Sequence, residues 1–414
     1  MLMVSPEYAR QQIALSCAHQ YLEGDVMHWW HPSPAPVGDK GVRTRCSDDL
    51  VWLAWALCEY VEKTGDTDFC EKTMYYVNSL ELASYEHDRY ETPHRSDCAD
   101  SIFAHCERAL RRCYGRGTGE HGLLLFGSCD WNDGMDEVGG ESVWLSWFFA
   151  HTARRFADLA ILLCKPNAED FREMAAKIGK AADRAWDGEW YLRGYWPDGE
   201  AIGSGKNTDC RIDSISQSWA ALCAEASNSR IDTALASALR ELFDHDSGIV
   251  KLFTPPFYGA CRDPGYIKSY GPGFRENGGQ YTHAAIWLAM ACLKRGREKD
   301  GYEILLSLLP ENHDLRRYMA EPFVIPADVY SAPEHTGEAG WTWYTGSAGW
   351  YFRVFCEDLL GLKLWNGMLY IRPALPEGFE NISFTLKEHK ISLNCGNIFL
   401  DGEIYDGKGI PYFG

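Results

Sequence analysis

Apolar residues recur at helical spacing along most of this chain, and no other feature narrows its fold as much. Leu50, Leu53, Ala54, Leu57, Cys58 and Val61 fall at i, i+3, i+4, i+7, i+8 and i+11, the stripe of an amphipathic helix. Comparable stretches occupy residues 7–21, 68–83, 100–114, 141–164, 168–186, 213–227, 231–244, 281–296, 299–309 and 346–361. Loops rich in Gly, Pro, Trp and Asp, alternately short and long, separate them. That pattern predicts stacked antiparallel helix pairs with the long loops gathered at one end. Closed on itself, it makes an all-α fold, an α/α toroid whose inner helices fill the centre and whose loops line a cleft. After Leu362 the pattern changes. Residues 368–372, 381–387, 390–394 and 397–405 are short, partly alternating, and punctuated by Gly and Pro. Residues 1–362 are therefore expected to form the helical body, and 363–414 a β-strand appendage too small to stand alone.

The loop around residue 130 points to chemistry. Gly127-Ser128-Cys129-Asp130-Trp131-Asn132-Asp133-Gly134 sets two carboxylates around an indole, between the apolar run 123–126 and the helix predicted from 141. Tryptophan is costly to expose, and a turn does not need it. An acid beside a flat aromatic face suits a sugar site. The ring stacks on the C–H face of a pyranose, and the carboxylic acid protonates the departing glycosidic oxygen. The same residues would also make an Asx-turn and helix-cap loop with a tucked-in indole.

A net charge of −19 argues against nucleic acid or an anionic membrane surface as a partner. An anionic ligand would need a local gathering of Arg and His. The 16 tryptophans supply a core and leave aromatics over for a carbohydrate cleft. The 15 cysteines are odd in number, scattered, and never spaced as Cys-x-x-Cys. They are expected to be reduced thiols used as small buried hydrophobes, not a disulfide framework or a zinc knuckle. No leader-like segment opens the chain, and no apolar run is long enough to span a bilayer, so a cytoplasmic protein is expected.

Four further loop clusters carry candidate residues. Val42-Arg43-Thr44-Arg45-Cys46-Ser47-Asp48-Asp49 opens a helix; capping accounts for its acids but for neither arginine. His28-Trp29-Trp30-His31-Pro32 has a His-x-x-His spacing that nothing nearby completes, which favours packed aromatics over zinc. Arg275-Glu276-Asn277-Gly278-Gly279-Gln280-Tyr281-Thr282-His283 carries a glycine pair that could bring backbone close to a ligand, with His283 at a helix start. Trp341-Thr342-Trp343-Tyr344-Thr345-Gly346-Ser347-Ala348-Gly349-Trp350 opens another helix, either as an anion seat or as a site of close helix packing at Gly346 and Gly349. One acid–Trp loop, one histidine and a Thr-Gly helix start make a sparse set for a hydrolase, which needs a second carboxylate to activate water. Inorganic phosphate as nucleophile needs no such base, because its attacking oxygen is already anionic.

Together these segments resemble glycoside hydrolase family 94, the inverting β-glucoside phosphorylases. The match rests on Glu23-Gly24-Asp25-Val26-x-His28-Trp29-Trp30-His31-Pro32, Gly41-Val42-Arg43-Thr44-Arg45-x-Ser47-Asp48-Asp49-Leu50, Asp130-Trp131-Asn132-Asp133-Gly134-Met135, Glu276-Asn277-Gly278-Gly279-Gln280-Tyr281-x-His283 and Tyr344-Thr345-Gly346-Ser347-Ala348-Gly349-Trp350. It is nearest the branch of 1,2-β-oligoglucan phosphorylases and the C-terminal region of cyclic β-1,2-glucan synthases. The resemblance implies an (α/α)6 barrel with a β-rich C-terminal piece, acting on an oligosaccharide and phosphate with no metal or organic cofactor. It makes Asp133 the general acid and Trp131 a sugar contact; Asp130 ranks second for the acid role and could equally be a structural loop carboxylate. The neighbouring Trp131 and Asp130 would favour the protonated acid by desolvation and like charge. Arg275 and Glu276 line the sugar site, with Arg275 a departure from the lysine of other branches. His283, Thr345 and Gly346 match phosphate contacts; Arg45, Asp48 and Asp49 are assigned to the cleft from their motif. The family's N-terminal β-sandwich, helical linker and Phe-Arg-Asp-x-x-x-Gln-Asp segment have no counterpart here, so the first barrel helix is expected to be missing. An upstream partner chain would then complete the barrel, or the chain would be a degenerate carbohydrate-binding remnant. An inverting glycosidase is the alternative enzyme.

Overall fold

A computed structural model describes residues 2–33, 38–259, 262–343, 345–379, 381–394 and 396–413, with residue 345 described by its backbone alone. The apolar periodicity becomes α1 (Pro6–Cys17), α2 (Asp49–Thr64), α3 (Ile102–Gly115), α4 (Val143–Leu162), α5 (Ala168–Arg184), α6 (Ser214–Ala220), α7 (Asn228–Leu242), α8 (Thr282–Lys294), α9 (Glu298–Ser307), α10 (Leu315–Tyr318) and α11 (Thr345–Arg353). Among the described residues, α2, α4, α6, α8 and α11 pack each against the next, while α3, α5, α7 and α9 back the first four in turn. Inner and outer helices thus alternate along the chain. Their sequences differ accordingly. In α8 the run from Ala284 to Leu293 is buried without interruption, whereas α5 buries one face through Phe171, Ala175, Ile178 and Ala182.

Each inner helix brings one tryptophan to the centre. Trp287 of α8 meets Trp219 at 5.2 Å, Trp350 at 5.7 Å, Trp144 at 6.1 Å and Trp52 at 6.3 Å between ring centroids. These indoles fill the middle of the helix set and form the floor under the loops.

Three inner helices begin the same way. A two-residue strand precedes α4 (Glu141–Ser142), α6 (Ile212–Asp213) and α8 (Gln280–Tyr281), paired with Gly194–Tyr195, Phe253–Thr254 and Asp328–Val329 respectively. Ser142 and Asp213 then cap α4 and α6 by accepting the Leu145 and Ile215 N–H groups. These short pairings gather the N-terminal ends of the inner helices, and the candidate residues with them.

The loops hold more strand than an all-α reading allows. β1 (Met27–His31), β2 (Lys40–Thr44) and β4 (Asp88–Glu91) form one sheet, and β3 (Thr73–Asn78) pairs with β5 (His94–Ser101). The helix expected over 68–83 is in fact a short 3-10 turn followed by β3, whose Thr-Met-Tyr-Tyr-Val run suits a pleated surface better than a helix. The helix expected over 213–227 stops at Ala220, and the one over 346–361 turns into a π-helix at Val354–Leu359. Beyond it, Leu362–Trp365, Met368–Ile371 and Ile410–Pro411 form one sheet, and Asn381–Leu386, His389–Asn394, Asn397–Leu400 and Glu403–Ile404 another. Leu364, Leu369, Ile391 and Leu393 share a small core there with Met3, whose carbonyl accepts the Tyr412 hydroxyl at 2.7 Å.

Candidate active site

The acid–Trp loop is anchored by a buried ion pair. Asp130 accepts two hydrogen bonds from Arg193, at 2.6 and 2.7 Å, and one from the Ser142 hydroxyl at 2.7 Å. Both charged side chains are fully buried, and Arg193 also reaches Asp213 at 3.3 Å. Asp130 therefore fastens the loop to the start of α4. Asp133, three positions on, keeps a side chain that is 54% exposed. Arg193 pairs with the Asp130 charge, and Asp133 faces a cation.

That cation is His28. Its Nδ1 donates to both Asp49 oxygens at 3.0 Å, and its Nε2 lies 3.8 Å from an Asp133 oxygen. The carboxylates of Asp133 and Asp49 outweigh burial and push the imidazole pKa up to about 11, so the ring is charged at neutral pH. Asp49, the first residue of α2, also accepts the Thr44 hydroxyl at 2.9 Å. Sequence pattern assigns His28 no role beyond packing. Its signal was the neighbouring Asp49, which only the β1–β2 hairpin brings close.

Asp48 and Arg45 stand apart. Asp48 is buried and accepts the Trp52 Nε1–H at 2.9 Å; burial, then the Asp49 charge, holds its carboxyl well above the usual range. It is a buried strut beneath Asp49, tied to Trp52. Arg45 turns away and donates to the carbonyls of Leu82, Ala83 and Glu86, all at 2.9 Å. It lines a separate cavity of 870 Å³ beside α3, where Arg112 and Arg116 are ion-paired with Asp25. The structure does not bring Arg45 to the residues around Asp133.

One expectation about cysteine is overturned. Cys46 and Cys129 form a disulfide linking the segment before α2 to the acid loop. The two lie 83 residues apart, and sequence spacing carries no sign of such a contact. Eleven other described cysteines are free, nine of them buried, as small core residues. His28, Cys46 and Asp49 gather closely, as do Cys46, Cys129 and Asp133, but sulfurs joined in a disulfide have no thiolate to offer a metal.

On the other side of Trp131 lies the helix-start pair. Trp131 stands edge-on to His283 at 5.5 Å and packs on Trp287 at 5.1 Å. Burial pushes the His283 pKa down to about 3, so the ring is neutral, and its Nε2 has no hydrogen-bond partner among the described residues. A Cβ at Gly346 would meet only His283 Nδ1, at 3.9 Å, and one at Gly349 would meet nothing within 4 Å. These glycines leave space beside His283; they do not serve close helix packing. Thr345 opens α11, and its side chain lies outside the described residues. The glycine pair 278–279 has a structural cause instead: side chains there would strike Pro256 and the Arg275 carbonyl.

Arg275 and Glu276 pair at 3.3 Å, and the guanidinium lies over Trp341 at 4.5 Å and Tyr270 at 5.3 Å. Tyr266 and Tyr270 each lie close enough to Asp133 and Glu276 to feel both charges. Asp328, buried and near Arg275 and Glu276, was not singled out from the sequence. Burial raises its carboxyl to about 6, the Trp341 N–H donates to one oxygen at 3.0 Å, and the other oxygen has no hydrogen-bond partner among the described residues.

Two cavities lie beside His283 and beside His28; the linings of both leave out Asp133, Trp131, Arg275 and Glu276. One of 560 Å³ is lined by His283, Gly346, Gly349 and Trp350, the other of 500 Å³ by His28, Asp49, Trp29 and Trp30. They share Gln12, Ile13, Trp52 and Ala56 as walls. Each is of a size that holds a small ligand.

A model described as the catalytic domain of the glycosyl hydrolase 94 superfamily matches residues 1–361. The chain is 41% identical over 408 residues to a cyclic beta-(1,2)-glucan synthase of Rhizobium meliloti, covering 95% of this chain and 14% of that one. It is 28% identical over 433 residues to solabiose phosphorylase of Paenibacillus borealis, covering 99% and 52%. An N,N'-diacetylchitobiose phosphorylase of Vibrio proteolyticus is 28% identical over 407 residues, covering 91% and 48%. The chain thus spans about half or less of these relatives. In fold it is similar to a GH78 family rhamnosidase of Bacillus sp. GL1, with a TM-score of 0.53 and 14% identity over 86% of this chain and 32% of that one.

Proposed function

Since this chain belongs to the glycosyl hydrolase 94 superfamily, we propose that it performs inverting phosphorolysis of β-linked gluco-oligosaccharides, releasing α-glucose 1-phosphate. Phosphate rests at the start of α11 against Thr345, Gly346 and His283 and attacks the anomeric carbon. Asp133 protonates the leaving oxygen from the opposite face. Trp131, Arg275 and Glu276 hold the reacting ring, and Asp49 lines the way to it. Phosphate is the co-substrate, and the chemistry needs no metal or organic cofactor.

The observation that carries this reading is the open space on the Nδ1 side of His283. A neutral imidazole, glycines at 346 and 349 that leave that space, and the N–H groups of a helix start together suit a bound oxyanion. A β-1,2 linkage is the substrate favoured, because the relative at 41% identity is named for that bond. Five inner helices alternate with outer ones among the described residues, and an upstream partner chain that completes the barrel belongs to this proposal. Among the described residues no helix is long and apolar enough to cross a membrane, and a cytoplasmic location fits the acidic composition.

The test is phosphate-dependent release of glucose 1-phosphate from β-1,2-glucooligosaccharides, with Asp133→Asn as control. Equal rates in both proteins would remove Asp133 from the mechanism. Sugar release at the same rate without phosphate would make the protein an inverting glycosidase. Saccharide binding without turnover would make it a binding remnant, and activity appearing only with a co-purified upstream chain would make it one half of a split enzyme.

A further inference from the structure

We propose that His28 is a positioning residue for the proton donor: it aims the Asp133 carboxyl and stabilises the carboxylate left when the proton has gone. This deepens the phosphorylase reading and rests on it. Asp49 grips Nδ1 of the ring through both oxygens at 3.0 Å and is itself fixed by the Thr44 hydroxyl at 2.9 Å. The ring's orientation is therefore set, and Nε2 is left directed at Asp133, 3.8 Å away. A hydrogen bond of this kind is often long in the free enzyme and tightens with substrate. Asp49 from α2 and Asp133 from the acid loop are the charged groups that act on the ring among the described residues. The other group beside the Asp133 carboxyl is the Cys129 sulfur at 3.9 Å, which sits in the disulfide and has no proton to give. His28 and Asp49 also line the cavity that shares its walls with the one beside His283.

The proton count closes. As the bond from C1 to the glycosidic oxygen breaks, that oxygen takes the Asp133 proton. The Nε2–H of the imidazolium, which keeps its proton, faces the carboxylate that results. Hydrogen phosphate dianion, on forming the new C1–O bond, becomes an ester that releases its own proton. Solvent returns that proton to Asp133, and no further reactant is needed.

Two leaving groups separate this role from a structural one. A β-1,2-glucooligosaccharide must be protonated as it departs, whereas 2,4-dinitrophenyl β-glucoside expels a phenolate that needs no proton. His28→Gln is expected to lower kcat on the oligosaccharide roughly 10²-fold with KM within about threefold, and to lose less than about threefold on the dinitrophenyl substrate. Asp49→Asn should behave alike, and the double variant no worse than His28→Gln, because both act through one contact. Equal losses on the two substrates, or an unchanged rate on the oligosaccharide, would overturn the proposal. Ring NMR of the full chain reads it without turnover. An imidazolium at pH 8, titrating near 6.5 once Asp49→Asn and Asp133→Asn are combined, is expected; a neutral ring at pH 8 overturns it. A wild-type chain with that signature but no phosphorolysis of either substrate would sink the phosphorylase reading instead, and the positioning role of His28 with it.

Discussion

Arg193 holds Asp130 by two parallel hydrogen bonds in a place water does not reach, and the exposed carboxyl of Asp133 stands three positions along the same loop. One loop thus carries a carboxylate committed to architecture and another left free for chemistry.

Asp130→Asn should therefore unfold more easily by about 3–5 kcal/mol, since it leaves the Arg193 charge buried and half-paired. Urea denaturation followed by circular dichroism reads this. A loss below about 1 kcal/mol would show that Asp213 alone compensates Arg193.

Asp133→Asn has the opposite profile. Its side chain is half exposed, so the unfolding free energy should move by less than about 1 kcal/mol. Oligosaccharide phosphorolysis should fall at least roughly 10²-fold. Large destabilisation with residual full activity would exchange the roles of the two carboxylates.

Gly346→Ala probes the anion seat. The added methyl meets only His283 Nδ1 at an ordinary contact distance, so the protein should fold, gaining about 0.5–1 kcal/mol from the better helix former. The space beside His283 narrows, and the KM for phosphate should rise roughly tenfold while that for the sugar stays put. Gly349→Ala, which meets nothing within 4 Å, is the comparison. Identical phosphate KM values in the two variants would place the anion elsewhere.

Stability should peak near pH 6.5. Burial lowers His105 to about 4 and His151 and His283 to about 3, so below 6.5 the unfolded chain takes up protons that the folded one refuses. Their contribution is complete above 6.5 and is lost as pH falls toward 4. His28 works in reverse. Its raised pKa gives stability that is complete below 6.5 and fades as pH rises toward about 11. The difference in urea midpoint between wild type and His28→Gln should thus be largest near pH 6 and shrink by pH 10. A difference that grows over that range would contradict the His28–Asp49–Asp133 arrangement.

Much of the helical body was legible because a helix announces its buried face every three to four residues, as in Leu50 through Val61. The same rule misread residues 68–83, where Thr73 to Val77 fits either period and pairing with β5 decides for a strand. The site residues were legible for a different reason. Asp49, His283 and Gly346 all stand in the first turn of a helix, where capping and anion-binding preferences leave a trace in the sequence.

What the chain's order of residues determined alone was which side chains face inward and which loops carry acids, tryptophans and glycines. Folding decided their partners: Arg193 for Asp130, Cys46 for Cys129, Leu82 and its neighbours for Arg45, and His28 lodged between Asp49 and Asp133. Periodicity is a local property, readable over a dozen residues. A charge, by contrast, takes its role from whichever group the distant chain sets beside it, and that distance exists only once the helices have packed.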